Sequence, residues 1–387
     1  MAIGRSGNKV KERLGFLIWG GYGSGKSYLC TTALRLKDEN GNPLKVLYID
    51  PEQGSSDSFL NKMADEGIDT RNAWIVYTSD CEEISHLINK AKNNEDYYEY
   101  DDDGEEDFTR VVKDADGKPF RPDFIIVDGT TVMKQTKELA RLAFSEKRAA
   151  VRADKAGVTG QAKDVAVEGA DLEQKDYKQI AFDGRNLVFD LLASGKHFAI
   201  TARAKKQMEY KLVDGKQVAV PTGLEEIDGF KDTAYNVKTV IHMVEEKSDF
   251  GSTYYGIIDS KDRTMVYNRG DKIENVSFLN WQSVIDKGIG LSETKFVNDA
   301  RTAVDKEAAK IIDDANTKGK VDGIKDGAPT DSLSDLKEKV KNAIKSLNTN
   351  EEKKAVKAKA EAAGLSVAID GYTSVEELTK LYKLIIG

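Results

Sequence analysis

Ile18-Trp19-Gly20-Gly21-Tyr22-Gly23-Ser24-Gly25-Lys26-Ser27 is the stretch on which the reading of this chain turns. The apolar run Phe16–Trp19 leads into four glycines, a lysine and a serine, and a segment of helical period, Lys26–Leu36, follows. Gly20-x4-Gly25-Lys26-Ser27 is the phosphate-loop pattern, set between a strand and a helix as its mechanism requires. Glycines let the backbone curl until its N–H groups point inward at phosphate oxygens. The helix N-terminus adds its positive end. In such a loop Lys26 neutralises phosphate charge and Ser27 holds Mg²⁺ through its hydroxyl, while Gly20, Gly21, Tyr22, Gly23, Ser24, Gly25 and Tyr28 complete the expected nucleotide-binding segment.

Outward from the loop, short apolar runs alternate with helical segments. Val46–Ile49, Trp74–Tyr77, Phe124–Val127 and Phe198–Thr201 join Phe16–Trp19 as buried parallel strands. Lys26–Leu36, Cys81–Ala91 and Tyr177–Leu192 are the intervening helices. Strand alternating with helix implies right-handed βαβ units and an α/β fold with a mostly parallel sheet. After about residue 205 the pattern changes. Met208–Leu212 and Lys216–Val220 flank Val213-Asp214-Gly215, a hairpin signal. Val237–Val244, Thr253–Ile258 and Thr264–Tyr267 read as antiparallel strands extending the sheet.

These patterns divide the chain into a core over residues 1–290, a helix and polar linker over 291–331, and a small helical domain over 332–387. The helix is expected at Glu293–Asn316 and the linker at Thr317–Asp331. The last part carries the stripe Leu333, Leu336, Val340, Ile344 and Leu347, a C-cap at Gly364 and the capping box Thr373-Ser374-Val375-Glu376. An acidic insert, about residues 94–122, holds the run EDYYEYDDDGEED at Glu95–Asp107 and is expected as a surface hairpin or disordered loop.

Composition narrows the class. Of 387 residues, 40% are apolar and 32% charged, which suits a globular protein with a well-solvated surface. Cys30 and Cys81 are the only cysteines, and His86, His197 and His242 are scattered singly, so neither a disulfide framework nor a His-rich metal site is expected. No run approaches a membrane span and the start MAIGRSGNKVKER lacks the apolar core of a secretion signal. A cytoplasmic location is the expectation. The net charge of −8 argues against coating DNA through bulk charge alone.

A phosphate loop needs a metal anchor. Pro122-Asp123-Phe124-Ile125-Ile126-Val127-Asp128-Gly129 is an apolar strand ending in an acid, the Walker B arrangement, which makes Asp128 the second expected Mg²⁺ contact. Val46-Leu47-Tyr48-Ile49-Asp50-Pro51-Glu52-Gln53 is another strand ending in acids. At this point the chain resembles the RecA-like recombinase ATPases, most of all the small phage RecA-like ATPases linked to single-strand annealing. The resemblance covers roughly residues 14–270.

It implies a RecA-like P-loop NTPase core with an antiparallel extension, binding ATP and Mg²⁺. Glu52 becomes the candidate general base that orients the attacking water, with a helix-capping acid as the plain alternative. His197-Phe198-Ala199-Ile200-Thr201-Ala202-Arg203 resembles the strand that carries a γ-phosphate sensor, a role Thr201 or Arg203 would fill. The recombinases proper typically have Asn or Gln there. Lys261 and Arg263, in Asp259-Ser260-Lys261-Asp262-Arg263, resemble the pair that reaches a neighbouring subunit's ATP, which implies a homo-oligomer with ATP at its interfaces. A solvated turn is the other reading.

In that family DNA is held by mobile loops after the Walker B strand and after the sensor strand. Both positions are basic here. Between Lys134 and Lys163, the eight bases Lys134, Lys137, Arg141, Lys147, Arg148, Arg152, Lys155 and Lys163 face only Glu138, Glu146 and Asp154, and a basic loop region is expected at about 141–175. Arg203, Lys205 and Lys206 follow the sensor strand. The resemblance therefore implies single-stranded DNA bound by Lys147, Arg148, Arg152, Lys155, Arg203, Lys205 and Lys206, with recombination, annealing or repair as the setting and the host cytoplasm as the location if the chain is phage-encoded. A solvated helix face is the alternative for these cations. The C-terminal helices would dock a single-strand DNA-binding protein or another replication partner. A ring motor acting on duplex DNA in replication or packaging, and a non-hydrolysing nucleotide-dependent binding protein, stay open beside the leading reading.

Overall fold

The structure is a computed structural model. It describes residues 7–292, apart from 55, 214–215 and 250, and scattered residues between 309 and 386. The chain divides into two compact units, Met1–Lys306 and Glu307–Gly387.

In the first unit β1 (Gly15–Gly20) leads to α1 (Lys26–Thr31), which tightens into a 3-10 turn at Thr32–Arg35. Thr31 and Thr32 turn their hydroxyls back to the carbonyls of Tyr28 and Leu29 at 2.8 and 2.6 Å, a local competition that explains why the helix is shorter than its apolar period suggested. There follow β2 (Val46–Ile49), α2 (Asp57–Asp65), β3 (Ala73–Val76), α3 (Cys81–Asn93) and the hairpin β4 (Tyr98–Tyr100) with β5 (Glu106–Val111). Next come β6 (Phe124–Asp128), α4 (Thr130–Lys155), α5 (Gln161–Glu168), α6 (Gln174–Ser194), β7 (His197–Val213) and β8 (Lys216–Asp228). The unit closes with α7 (Thr233–Asn236), β9 (Thr239–Ser248), β10 (Gly251–Asp262), β11 (Lys272–Glu274) and α8 (Gln282–Asp286).

Nine of these strands form one sheet in the order β11-β10-β9-β1-β7-β6-β2-β3, with β8 paired to β7 beyond the edge of its neighbours. From β9 to β3 every pairing is parallel, while β10, β11 and β8 are antiparallel additions. The mixed α/β class with an antiparallel extension is therefore the one the sequence implied. Residues alternate between two cores, as period-two strands covered on both faces must. Leu17, Trp19, Ile125, Val127 and Ile200 pack with Ile84 and Leu87 of α3 and Leu187 and Leu191 of α6. Phe16, Ile18, Tyr48, Phe124 and Ile126 pack on the other side with Leu29 and Cys30 of α1 and with Phe278 and Trp281.

Several expectations are corrected. Val237–Val244 was expected as an antiparallel strand, yet β9 runs parallel to β1 and only its other edge, to β10, is antiparallel. Thr264–Tyr267 is a turn, because the Asp262 carboxylate accepts from the backbone N–H groups of Thr264 and Tyr267 and curls the chain back on itself. The basic region 141–175 is not a long loop. Thr130–Lys155 is rich in Ala, Leu, Lys, Arg and Glu, all strong helix formers, and folds into a single 26-residue helix. The segment after Thr201 is also no loop: β7 continues unbroken and returns as β8, making a two-stranded ribbon.

In the second unit the described residues include a helix over Val375–Ile386 and a small core of Val340, Ala360, Ile369, Leu378, Leu381 and Ile385. The helix expected at 293–316 (Lys310 and its neighbour 309 apart), the linker 317–331, Leu333, Leu336 and Leu347, the C-cap at 364 and residues 373–374 of the capping box lie outside the described residues.

Candidate nucleotide-binding site

The loop after β1 has the geometry its glycines permit. Gly23 and Gly25 hold φ of 71° and 90°, a left-handed region that favours glycine, and Gly25 is the cap from which α1 starts. At Gly20 a Cβ would fall 2.3 Å from the carbonyl oxygen of Met243 on β9, so only glycine fits. Lys26 Nζ donates to the carbonyls of Gly20 and Gly21 at 3.1 and 2.8 Å and lies 3.5 Å from Ser24 Oγ, which centres the ammonium within the curl. Burial lowers its pKa, while the Asp128 and Glu52 carboxylates oppose that shift.

The parallel sheet sets the remaining groups beside this loop. β7 lies between β1 and β6, with Gly20 opposite Arg203 and Asp128 opposite Thr201. Asp128 is buried, and its two carboxylate oxygens accept from hydroxyls on the two flanking strands. Thr201 Oγ1 donates to Oδ1 at 2.7 Å and Tyr48 Oη donates to Oδ2 at 2.5 Å. Tyr48 was missed by the sequence reading. The signal it left is a phenol in an otherwise aliphatic strand, Val46-Leu47-Tyr48-Ile49, next to the Walker B strand. Burial, with the neighbouring Asp128 carboxylate adding to it, holds the Tyr48 phenol well above its ordinary pKa.

Glu52 reaches the same place through a tied loop. The Asp50 carboxylate accepts from the N–H groups of Glu52 and Gly54, both at 3.0 Å, and Gln53 and Gly54 take positive φ. Glu52 then passes over Gly129, whose φ of 138° and missing Cβ leave it room: a Cβ there would stand 2.9 Å from Glu52 Cγ. Arg203 donates to Glu52 Oε1 from Nε at 3.1 Å and lies 3.0 Å from it through Nη2.

Lys26, Ser27, Glu52, Asp128 and Arg203 all line one open cleft of about 1080 Å³. Tyr22 stands at its rim, fully exposed, and Tyr28 lines it while packing edge-on against Phe59 at 5.6 Å. Met243, Tyr254 and Asn275–Ser277, from β9, β10 and the segment after β11, also line the cleft, and no local motif announced them.

The donor set suits Mg²⁺ carried in with phosphates. A buried carboxylate and a serine hydroxyl are hard oxygen donors, and Mg²⁺ commonly takes one or two protein oxygens and completes its shell with phosphate and water. Among the described residues no group of three or more His, Cys, Asp or Glu could build a metal cage alone.

Other expected site residues lie elsewhere. β10 runs against β9, so its end at Asp262 sits level with Thr239 and Phe16 rather than with Gly20. Four strand residues separate the two levels, about 13 Å at ~3.3 Å per residue. Lys261, whose Nζ donates to the Tyr235 carbonyl at 3.0 Å, and Arg263 are thus outside this chain's own cleft. Burial lowers the Lys261 pKa, with Arg263 adding to the shift.

The expected DNA contacts divide in two. Arg148 is paired with Asp176 at 2.5 Å, Arg152 with Glu173 at 2.9 Å, Arg203 with Glu52 at 3.0 Å, and Lys205 with Glu226 at 3.4 Å. Lys147, Lys155 and Lys206 are exposed and make no ion pair among the described residues. No helix among the described residues is long and apolar enough to cross a membrane.

No protein-family model matches the chain, and no curated protein matches it. Among solved structures it is similar to a KaiC-like protein from the hyperthermophilic archaeon Pyrococcus horikoshii OT3, at 13% identity over 67% of this chain and 83% of the other, with a TM-score of 0.36. A likeness at that level carries no residue roles, which rest here on the distances above.

Proposed function

We propose that this protein binds ATP with Mg²⁺ in the cleft beside Gly20–Ser27 and hydrolyses it. The observation that carries the reading is the convergence of Lys26, Ser27, Asp128 and Glu52, drawn from three strand ends, on one cleft beneath a glycine-restricted loop. The loop N–H groups and Lys26 bind the phosphates. Ser27 and the clamped Asp128 would hold Mg²⁺, which when bound offsets charge on the β- and γ-phosphates. Glu52 accepts a proton from the water that attacks the γ-phosphorus, and the bond to the ADP oxygen breaks. Lys261 and Arg263 serve a neighbouring copy in a homo-oligomer, because the strand direction keeps them from their own cleft. Lys26→Ala is expected to abolish phosphate release in a Mg²⁺-ATP assay. Undiminished release in that variant would sink the site assignment.

A second reading concerns the substrate on which ATP is used. Lys147, Lys155 and Lys206 are exposed without ion pairs among the described residues, and Tyr210 on the ribbon is 74% exposed, which supports binding of single-stranded DNA in recombination or annealing. Such binding should weaken steeply with salt, and replacing the three lysines by alanine should lower the slope of log K against log salt by roughly two, at about 0.7 per phosphate contact. An unchanged slope would remove the assignment.

A further inference from the structure

The strand order fixes which way a nucleotide lies in the cleft. Asp128, Glu52 and Arg203 come from β6, the loop after β2, and β7, all on one side of β1. A terminal phosphate that meets them leaves the rest of the nucleotide to cross the loop toward the other side, where β9 and β10 follow β1 in the sheet. There Gly20 is level with Met243 and Met243 with Gly256. Tyr254, two residues away along the antiparallel β10, therefore stands beyond the end of β1, at the height of the loop. A Cβ added at Gly25 would lie 3.4 Å from the Tyr254 ring, so the ring packs against the head of α1.

Gly256 lets the chain after β11 close on this place, because a Cβ there would meet Val276 Cγ1 at 2.7 Å. Val276 is buried, and Asn275 before it lines the cleft, its N–H donating to the Tyr254 carbonyl at 2.8 Å. Asn275 holds a φ of 48°, a left-handed conformation that asparagine tolerates better than most residues. It is exposed, and its side-chain amide makes no hydrogen bond among the described residues. Tyr28 offers no comparable face. It packs with α2, which follows Glu52, where Phe59 meets it edge-on and Lys62 lies over its ring at 4.9 Å.

We propose that Tyr254 and Asn275 form a nucleobase subsite that selects adenine over guanine, with the base on the Tyr254 ring and its edge read by the Asn275 amide. This rests on the reading of the cleft as a nucleotide site. An amide presents a donor and an acceptor side by side, which matches the N6 amino group and N7 of adenine. Guanine presents two acceptors there, O6 and N7, and one of them faces the amide oxygen. An aromatic ring stacks on any base, so Tyr254 supplies affinity and Asn275 the choice.

The test is equilibrium binding of Mg²⁺-ATP, Mg²⁺-GTP and Mg²⁺ with inorganic triphosphate, which has no base, on the full chain. The unmodified protein should bind ATP at least about fivefold more tightly than GTP, the low end for one bidentate base contact. Tyr254→Leu should weaken both nucleotides about fivefold or more and leave inorganic triphosphate within about twofold. Asn275→Gly removes the amide and keeps the left-handed backbone, so the ATP/GTP ratio should fall to within about twofold of unity. Asn275→Asp exchanges the donor for a second acceptor, suits the N1–H and N2 amino group of guanine, and should invert the ratio. An unmodified protein without base preference, or a ratio that Asn275→Gly leaves unchanged, would overturn the subsite while the phosphate site stands. So would a Tyr254→Leu loss equally large for inorganic triphosphate. If the unmodified protein binds none of the three, the reading of the cleft itself fails, and the subsite falls with it.

Discussion

Tyr48→Phe is the sharpest probe of the metal anchor. The substitution deletes one oxygen and leaves the ring, so it creates almost no cavity in a side chain that is 1% exposed. It removes the 2.5 Å bond to Asp128 Oδ2 while the Thr201 bond to Oδ1 remains. A buried hydrogen bond to an ionised group contributes about 1.5–3 kcal/mol. We therefore expect the first unit to lose about that much unfolding free energy. Trp19, Trp74 and Trp281 are the chain's three tryptophans and all lie in that unit, so urea unfolding followed by tryptophan fluorescence reports on it selectively. The same loss releases the Asp128 carboxylate from one of its two hydroxyl clamps. The Mg²⁺ concentration needed for half-maximal ATP binding should rise about tenfold or more, since ~1.4 kcal/mol is a factor of ten. A variant whose unfolding free energy stays within about 0.5 kcal/mol of the parent, with the same Mg²⁺ requirement, would refute the clamp.

Gly129→Ala places a methyl 2.9 Å from Glu52 Cγ at a φ of 138°, and should cut turnover at least tenfold, roughly 1.4 kcal/mol of lost transition-state stabilisation, while Mg²⁺-ATP still binds. Unaltered turnover would mean that Glu52 is not held where the chemistry needs it. Gly184→Ala is the contrast: its Cβ meets the Phe230 ring at 2.2 Å, so overpacking should cost about 1–3 kcal/mol of stability, whereas nucleotide affinity should not change. His197 is buried, with Nδ1 accepting from the Leu14 N–H at 2.9 Å, and burial pushes its pKa down to about 3. Between pH 6.5 and about 3 the unfolded chain binds a proton there that the folded chain does not, so stability falls with falling pH by up to about 1.4 kcal/mol per unit. His197→Gln keeps an acceptor and should flatten that slope in urea titrations at pH 7, 6 and 5. Identical slopes would assign the acid sensitivity elsewhere.

Much of the core was legible because its signals are local. β2 was bounded correctly from Val46 to Ile49, since a short aliphatic run between a proline-containing turn and Asp50-Pro51 has few other uses. Gly20–Ser27 announced its loop because glycine spacing and the lysine are contiguous in the chain. The basic stretch misled for a related reason: charge marks solvent exposure in a helix and in a loop alike, and propensity over Thr130–Lys155 was the stronger guide.

By itself, then, the sequence determined the phosphate loop, the acid-terminated strands and the alternation that makes an α/β sheet, because hydrophobic period and turn chemistry act over a few residues. Tertiary structure alone decided which of those ends meet. Inserting β7 between β1 and β6 brought Thr201 to Asp128 and Arg203 to Glu52, pairs separated by 73 and 151 residues. Running β10 antiparallel carried Lys261 and Arg263 to the far end of the sheet. Strand order and direction are set by pairings distant in sequence, and a side chain's chemistry follows the end of the sheet on which those pairings leave it.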